Sequence, residues 1–233
     1  MNPITRRHAL HWTIAAALAA SLPACGGGDD DRPNMAVDAS GLSTFNAEAL
    51  SAALASYPLQ AVSVAEADGL AYMREEEQLA QAVYTASASR WPALPIFGNI
   101  AASEATHTAA VKALLDRYQL TDPQAGLALG TFATPAFQTL YTDLVAASSV
   151  SLVEALKVGV QIEELDIADI AARQASVDNT DILMVYDNLL RGSRNHLRAY
   201  MKTLTQQGGT YTPQYISQTE FDAVVASPME KGR

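Results

Sequence analysis

Glu104 and His107 stand three residues apart in the run "NIAASEATHTAAVKALLDRY", from Asn99 to Tyr118. At helical spacing Ile100, Glu104, His107, Val111, Leu114 and Tyr118 share one stripe, so an acid and an imidazole sit in the middle of an otherwise apolar face. Burying an unpaired carboxylate costs roughly several kcal/mol, and a sequence that places one in a core normally supplies a base, a cation or a metal as its partner. Three other segments repeat the pattern. Between Ser63 and Ser87, the residues Leu70, Met73, Glu77, Ala80, Tyr84 and Ser87 form a seam with Glu77 as its only charge. Glu76, on a second stripe with Tyr72, Leu79 and Val83, is the rival candidate, because Glu75, Glu76 and Glu77 are consecutive and at about 100° per residue cannot all face inward. Between Ser151 and Arg173, Leu152, Leu156, Gly159, Glu163, Asp166 and Ile170 line up, with Glu164 as the alternative acid. From Asp181 to Gln206, His196 falls in the seam of Ile182, Val185, Leu189, Ser193, Tyr200 and Thr203.

Only four histidines occur, and His8 and His11 lie in a leader read as removable, which leaves His107 and His196 on inward faces of different helices. Divalent cations would neutralise the inward carboxylates and accept the neutral imidazole nitrogens. The chemistry suggested is therefore a metal centre of oxygen and nitrogen ligands. Cys25 is the single cysteine, so no thiolate site and no disulfide framework is available.

Four long helices must position these residues. The first opens at the capping box Ser63-Val64-Ala65-Glu66 and the third at a second box, Ser151-Leu152-Val153-Glu154. The fourth stops at Gly208-Gly209. Short connections, "RWPALPIFG" and "QASVDNT", make antiparallel pairs of helices one and two and of helices three and four. Some thirty residues separate the second helix from the third, with a short helix starting at Thr134-Pro135. One long crossover of this kind predicts an all-α, ferritin-like four-helix bundle rather than a simple up-down bundle. The tail "YTPQYISQTEFDAVVASPMEKGR" reads as a loop and a small helix over one end.

The front end reads differently. Residues 1–25, "MNPITRRHALHWTIAAALAASLPAC", combine an arginine pair, a short apolar run and small residues before a cysteine, the pattern of an export signal. Thr5-Arg6-Arg7 resembles a twin-arginine signal, and Leu22 to Cys25 resembles a lipobox that leaves Cys25 lipidated, which implies a periplasmic or envelope protein held at the membrane by a lipid. Residues 26–46 read as a flexible linker and residues 47–233 as one helical domain, its core supported by 49% apolar composition. Cleavage would remove Arg6 and Arg7 from 15 basic residues set against 25 acidic ones, leaving a net charge near −12 that argues against nucleic-acid partners.

With Glu77, Glu104-x-x-His107, Glu163 and His196 in place, the chain resembles the ferritin-like di-iron superfamily. The run "EQLAQAVY" is similar to the first helix of rubrerythrins, which favours Glu77 over Glu76. More closely, the blocks "MREEEQLAQAVY", "FGNIAASEATH", "ALKVGVQIEELDIADI", "VYDNLLRGSRNHLRAY" and "YTPQYIS" resemble, in this order, the family known as domain of unknown function 2202. The superfamily has a second Glu-x-x-His where this chain has Ser193-Arg194-Asn195-His196. By analogy with the Glu-x-x-Glu of rubrerythrins, Asp166 would replace the missing acid, completing a six-residue metal set of Glu77, Glu104, His107, Glu163, Asp166 and His196.

The resemblance implies two iron ions, with manganese as the other metal that suits such ligands. It implies oxidation of iron or reduction of dioxygen or peroxide, with Tyr84 as a catalytic candidate near the metals. No Cys-x-x-Cys pair is present, so the electron donor is a separate molecule. A different reading from the same residues is a non-catalytic metal-binding or structural envelope lipoprotein. A lipid at the N-terminus disfavours a closed storage shell, whereas a homodimer remains compatible with the sequence.

Overall fold

The computed structural model describes residues 34–38 and 41–231, and the expected export signal, residues 1–25 with Cys25, lies outside the described residues. Four long helices form the body: α2 (Val64–Arg90), α3 (Ile96–Arg117), α5 (Leu152–Gln174) and α6 (Thr180–Gln206). Before them come a hairpin of β1 (Met35–Val37) and β2 (Ser43–Phe45) and the short helix α1 (Ala47–Ser56), while α4 (Pro135–Ser148) lies in the crossover and α7 (Gln218–Ala226) in the tail. The expected all-α bundle with a long link between its second and third long helices is what the chain adopts.

Local chemistry sets the helix ends. At Ser63 both halves of the capping box form, with the Ser63 hydroxyl accepting from the Glu66 N–H at 3.2 Å and the Glu66 carboxylate accepting from the Ser63 N–H at 2.8 Å. At Ser151 only the hydroxyl half forms, because Glu154 pairs with Lys157 instead. Gly208 ends α6 in the left-handed region at φ 75°, and the Gly209 N–H reaches back to the Leu204 carbonyl.

The apolar core comes in two halves. One gathers Ala80, Tyr84, Phe97, Ile100, Leu156, Val160, Leu197 and Tyr200. The other gathers Leu70, Met73, Val111, Leu114, Ile170, Ile182, Val185 and Leu189. Early residues of α2 and α6 thus meet late residues of α3 and α5, so α2 and α6 run one way and α3 and α5 the other. Since α3 and α5 run in the same direction, the chain must return along the length of the bundle between them, and the crossover carrying α4 packs on α2 and α5 as it does so.

Two sequence expectations need correction. Residues 26–46 were expected to form a flexible linker, yet residues 35–37 and 43–45 pair as antiparallel strands with Met35 opposite Phe45. The cause is burial: Met35 is fully enclosed and Phe45 nearly so, packed with Leu50 and Leu54 of α1 in the second half of the core. Ordered chain therefore begins ahead of Ala47. The second correction concerns Glu75, Glu76 and Glu77, all of which are buried. They do point in different directions, but α2 is covered on several sides. Glu75 meets the crossover, accepting from Gln124 Nε2 at 3.1 Å and the Thr134 N–H at 3.0 Å. Glu76 meets Asp169 on α5, and burial first, then the Asp169 charge, lifts its carboxyl well above the usual range. Glu77 faces the centre of the bundle.

Glu164, the rival acid on α5, has a structural task. Its Oε1 accepts the N–H groups of Gln214, Tyr215 and Ile216 at 2.5–2.9 Å, and Oε2 accepts the Tyr211 hydroxyl at 2.6 Å. Replacing Glu164 by Ala leaves those donors without their acceptor and should lower the unfolding free energy by about 1–3 kcal/mol. Denaturant titration checks the loss, and amide exchange should accelerate at residues 214–216.

Candidate metal centre

Between the two apolar halves lies a single polar layer. Each long helix sends a side chain into it: Glu77 from α2, Glu104 and His107 from α3, Glu163 and Asp166 from α5, and Ser193 and His196 from α6, all buried. The Glu-x-x-His spacing on α3 puts acid and imidazole on the same face one turn apart, which lets Glu104 and His107 act together.

Glu104 is the centre of the arrangement. Its Oε2 lies 2.9 Å from His107 Nδ1 and its Oε1 lies 2.7 Å from His196 Nδ1. Glu77 Oε2 approaches His107 Nδ1 at 3.4 Å, and Glu163 Oε2 approaches His196 Nδ1 at the same distance. Two three-residue groups result, Glu77–Glu104–His107 and Glu104–Glu163–His196, within each of which one ligand atom per residue lies within 4.8 Å of the others. Both groups could hold a metal ion, with Glu104 shared between them.

Glu77 Oε1 is buried without a hydrogen-bond partner, and Nδ1 of both histidines and Oε1 of Glu104 face only one another and the other acids of the layer. Nitrogen lone pairs and carboxylate oxygens aimed at the same interior points are what a cation would satisfy. Charge agrees with this. Glu77, Glu104, Glu163 and Asp166 carry four negative charges when ionised, which two divalent cations balance while both imidazoles stay neutral. The donor set thus fits a pair of metal ions.

The opposite edges of the imidazoles are also held. The rings lie nearly parallel, with centroids 5.4 Å apart and planes 16° from each other. Ser43 Oγ, from the hairpin, lies 2.9 Å from Nε2 of both, and Ser103 Oγ lies 2.9 Å from His196 Nε2. Phe45 packs edge-on against the His107 ring. Gly192 on α6 leaves the necessary room, since a Cβ there would stand 2.6 Å from His107 Cε1 and 2.9 Å from Ser43 Oγ.

Glu77, Glu104, His107, Glu163 and His196, five of the sequence candidates, are brought together. Asp166 enters neither group, because Ser193, at the place of the absent glutamate, donates its hydroxyl to Asp166 Oδ2. Asp166 Oδ1 has no hydrogen-bond partner, and burial, then the charges of Glu77, Glu76 and Glu163, raise its carboxyl well above the usual range. Tyr84 donates its hydroxyl to Glu163 Oε1 at 2.6 Å, so it touches a candidate ligand directly. Its ring lies 5.2 Å from that of Tyr200, which packs where Gly159 has no side chain. Sequence reasoning assigned no task to Ser43, Ser103 or Tyr200. Tyr200 stood on the correct seam, but Ser43 lay in a stretch whose glycines and aspartates pointed to a linker.

Comparison with known proteins agrees with the sequence blocks. The family model described as an uncharacterized protein domain, DUF2202, matches residues 66–228, and the chain belongs to that family. It is 48% identical over 179 residues to the uncharacterized protein MJ0754 of Methanocaldococcus jannaschii, an alignment covering 77% of this chain and 96% of the relative. The crystal structure of that hypothetical protein superposes with a TM-score of 0.73 at 48% identity, covering 75% of this chain and 99% of the other.

Electrostatics give the metal-free protein a distinct pH response. Burial alone would lower both imidazoles, but the nearby carboxylates dominate and bring His107 to about 10 and His196 to about 9, from an ordinary 6.5. Burial, opposed by His107 and assisted by Glu104, pushes Glu77 up to about 8 from 4.5. For all three the folded pKa exceeds the unfolded one, so their stabilisation is complete below the unfolded values and is lost as pH rises through about 8 to 10. The chelator-treated protein should therefore melt at progressively lower temperature across that window. Added divalent metal, which replaces the Nδ1 protons, should restore more stability at the alkaline end than at neutral pH.

Proposed function

We propose that this member of the DUF2202 family is an exported, ferritin-like protein that holds two iron ions in its polar layer and uses them in iron oxidation or in reduction of dioxygen or peroxide. The observation that carries the reading is the position of Glu104, whose two oxygens serve two separate imidazoles within one buried layer. Carboxylate and imidazole ligands without thiolate suit iron, with manganese as the alternative. A bound ferrous pair would supply two reducing equivalents to dioxygen or peroxide.

The chain's own residues have definable tasks in this scheme. Glu77 with His107 and Glu163 with His196 bind at the two ends, and Glu104 spans them. Tyr84 orients Glu163 through its 2.6 Å hydrogen bond and keeps one carboxylate oxygen turned towards α2. Flanking apolar layers exclude water, which strengthens every electrostatic interaction within. Electrons would come from an external donor, since Cys25 is the only cysteine. Residues 1–25 support placement in the periplasm or envelope with a lipid on Cys25; no helix among the described residues is long and apolar enough to cross a membrane.

One observation favours the second reading, a non-catalytic metal-binding protein. Surface clefts among the described residues lie along α6 near Met184, beside Tyr72, and between α1 and α3, and none of these is lined by a residue of the two groups. Anaerobic loading with ferrous iron followed by oxygen-electrode measurement separates the readings. Consumption of oxygen or peroxide supports the enzyme. Two tightly held irons that consume neither support the binding protein.

Because Glu104 belongs to both groups and Glu77 to one, their variants should differ. Glu104→Ala should abolish uptake of both ions while the far-ultraviolet spectrum stays helical, whereas Glu77→Ala should weaken one ion by on the order of 100-fold and spare the other. Metal analysis after gel filtration reads the stoichiometry. Unchanged metal content in Glu104→Ala would overturn the assignment.

A further inference from the structure

We infer that Ser43 is a positioning residue that fixes both metal-binding histidines in the tautomer the proposed centre requires, and that it governs the His107 side more strongly than the His196 side. The inference rests on the dinuclear reading above and goes beyond it, because Ser43 lies outside residues 66–228, the part matched by the family model.

Hydrogen accounting around Ser43 leads there. A hydroxyl has one proton to donate and two lone pairs to accept with. Ser43 Oγ stands 2.9 Å from His107 Nε2, 2.9 Å from His196 Nε2 and 2.9 Å from Ser103 Oγ. Ser103 in turn donates its hydroxyl to the Ser43 carbonyl and accepts the Ser43 N–H at 3.0 Å. With that proton already placed, the Ser43 hydroxyl donates to Ser103 and accepts from both imidazoles. Both Nε2 atoms then carry hydrogen, and both Nδ1 atoms present bare lone pairs to the side where Glu77, Glu104 and Glu163 converge. One carboxylate thus spans the inner edges of the ring pair, and one hydroxyl spans the outer edges.

The hairpin holds this hydroxyl in register. Ser43 and Phe45 are two apart on β2 and so face the same side, towards α3. Phe45 donates its N–H to Thr106 Oγ1 at 3.0 Å and packs edge-on against His107. Met35, opposite Phe45 on β1, is fully buried. The two histidines nevertheless depend on Ser43 unequally. His196 Nε2 also lies 2.9 Å from Ser103 Oγ, which gains a free lone pair to accept from it once the Ser43 hydroxyl is gone, whereas Ser43 is the partner shown for His107 Nε2. Removing the Ser43 hydroxyl leaves one buried N–H without an acceptor and the other with its second partner.

The test uses the full chain, cobalt(II) as titrant, and zinc(II) for nuclear magnetic resonance. Wild-type protein should bind two cobalt ions per chain. Ser43→Ala should weaken one of them by about 10- to 100-fold and the other by no more than a few-fold, and Ser43→Thr, which keeps the hydroxyl, should restore the pair. Long-range nitrogen–proton spectra of the zinc-loaded wild type should show hydrogen on Nε2 of both His107 and His196; this measurement needs no variant to fold. Two equally tight cobalt ions in Ser43→Ala would overturn the role of Ser43 while leaving the metal centre standing, whereas hydrogen on Nδ1 of either ring would take that imidazole out of the ligand set and overturn the metal reading together with this inference. A wild-type protein that binds no cobalt would likewise overturn the metal reading itself, and this inference with it.

Discussion

Acidic and imidazole side chains concentrated at one level of an apolar bundle create a constraint that every element answers to. Such a layer is tolerable only if its charges cancel and its donors and acceptors find partners, since each failure costs on the order of kcal/mol in a medium of low dielectric. Within the layer, pairing runs both along α3 and between helices: α3 supplies the central carboxylate and one ring, α6 the other ring, and α2 and α5 the outer acids. Above and below, apolar side chains close the ends. The long helices are thus held in axial register by electrostatics at the middle and by packing on either side.

The outer acids show how a helix surrounded by neighbours uses charge. Glu75 fastens the crossover, Glu164 fastens the segment from Tyr211 to Ile216, and Glu66 accepts the N–H groups of Asp178 and Asn179 in the link between α5 and α6. In each case a buried carboxylate satisfies backbone donors that a loop could not satisfy for itself. Arg194 and Arg198 perform the reciprocal service at the tail, where both pair with Glu230. The helices therefore carry their own loops.

Much of this was legible in the sequence. The 3.6-residue period exposed the seams, and the capping box at Ser63, the start at Pro135 and the stop at Gly208 marked helix ends through local chemistry that needs no partner. Glu77, Glu104, His107, Glu163 and His196 announced themselves as polar interruptions of apolar stripes. The hairpin did not, because its strands are three residues each, too short for a period to show, and because Met35 and Phe45 gain their burial from α1 and α3 rather than from each other's sequence neighbours. Nor could the sequence foresee that Glu75 and Glu76 would both be covered. Facing directions follow from helical geometry, but the number of covered faces depends on where distant elements come to rest. Asp166 illustrates the same limit at finer scale: its place on the seam was correct, and a single hydroxyl from α6 decided what its carboxylate would touch.

The three consecutive glutamates of α2 also bear on how such a chain can change over evolutionary time. Each reaches a different neighbour, so a single inserted or deleted residue upstream within α2 would turn all three away from their partners at once. Length variation should consequently be confined to the connections, and α2 should behave as an indivisible block whose register is inherited whole.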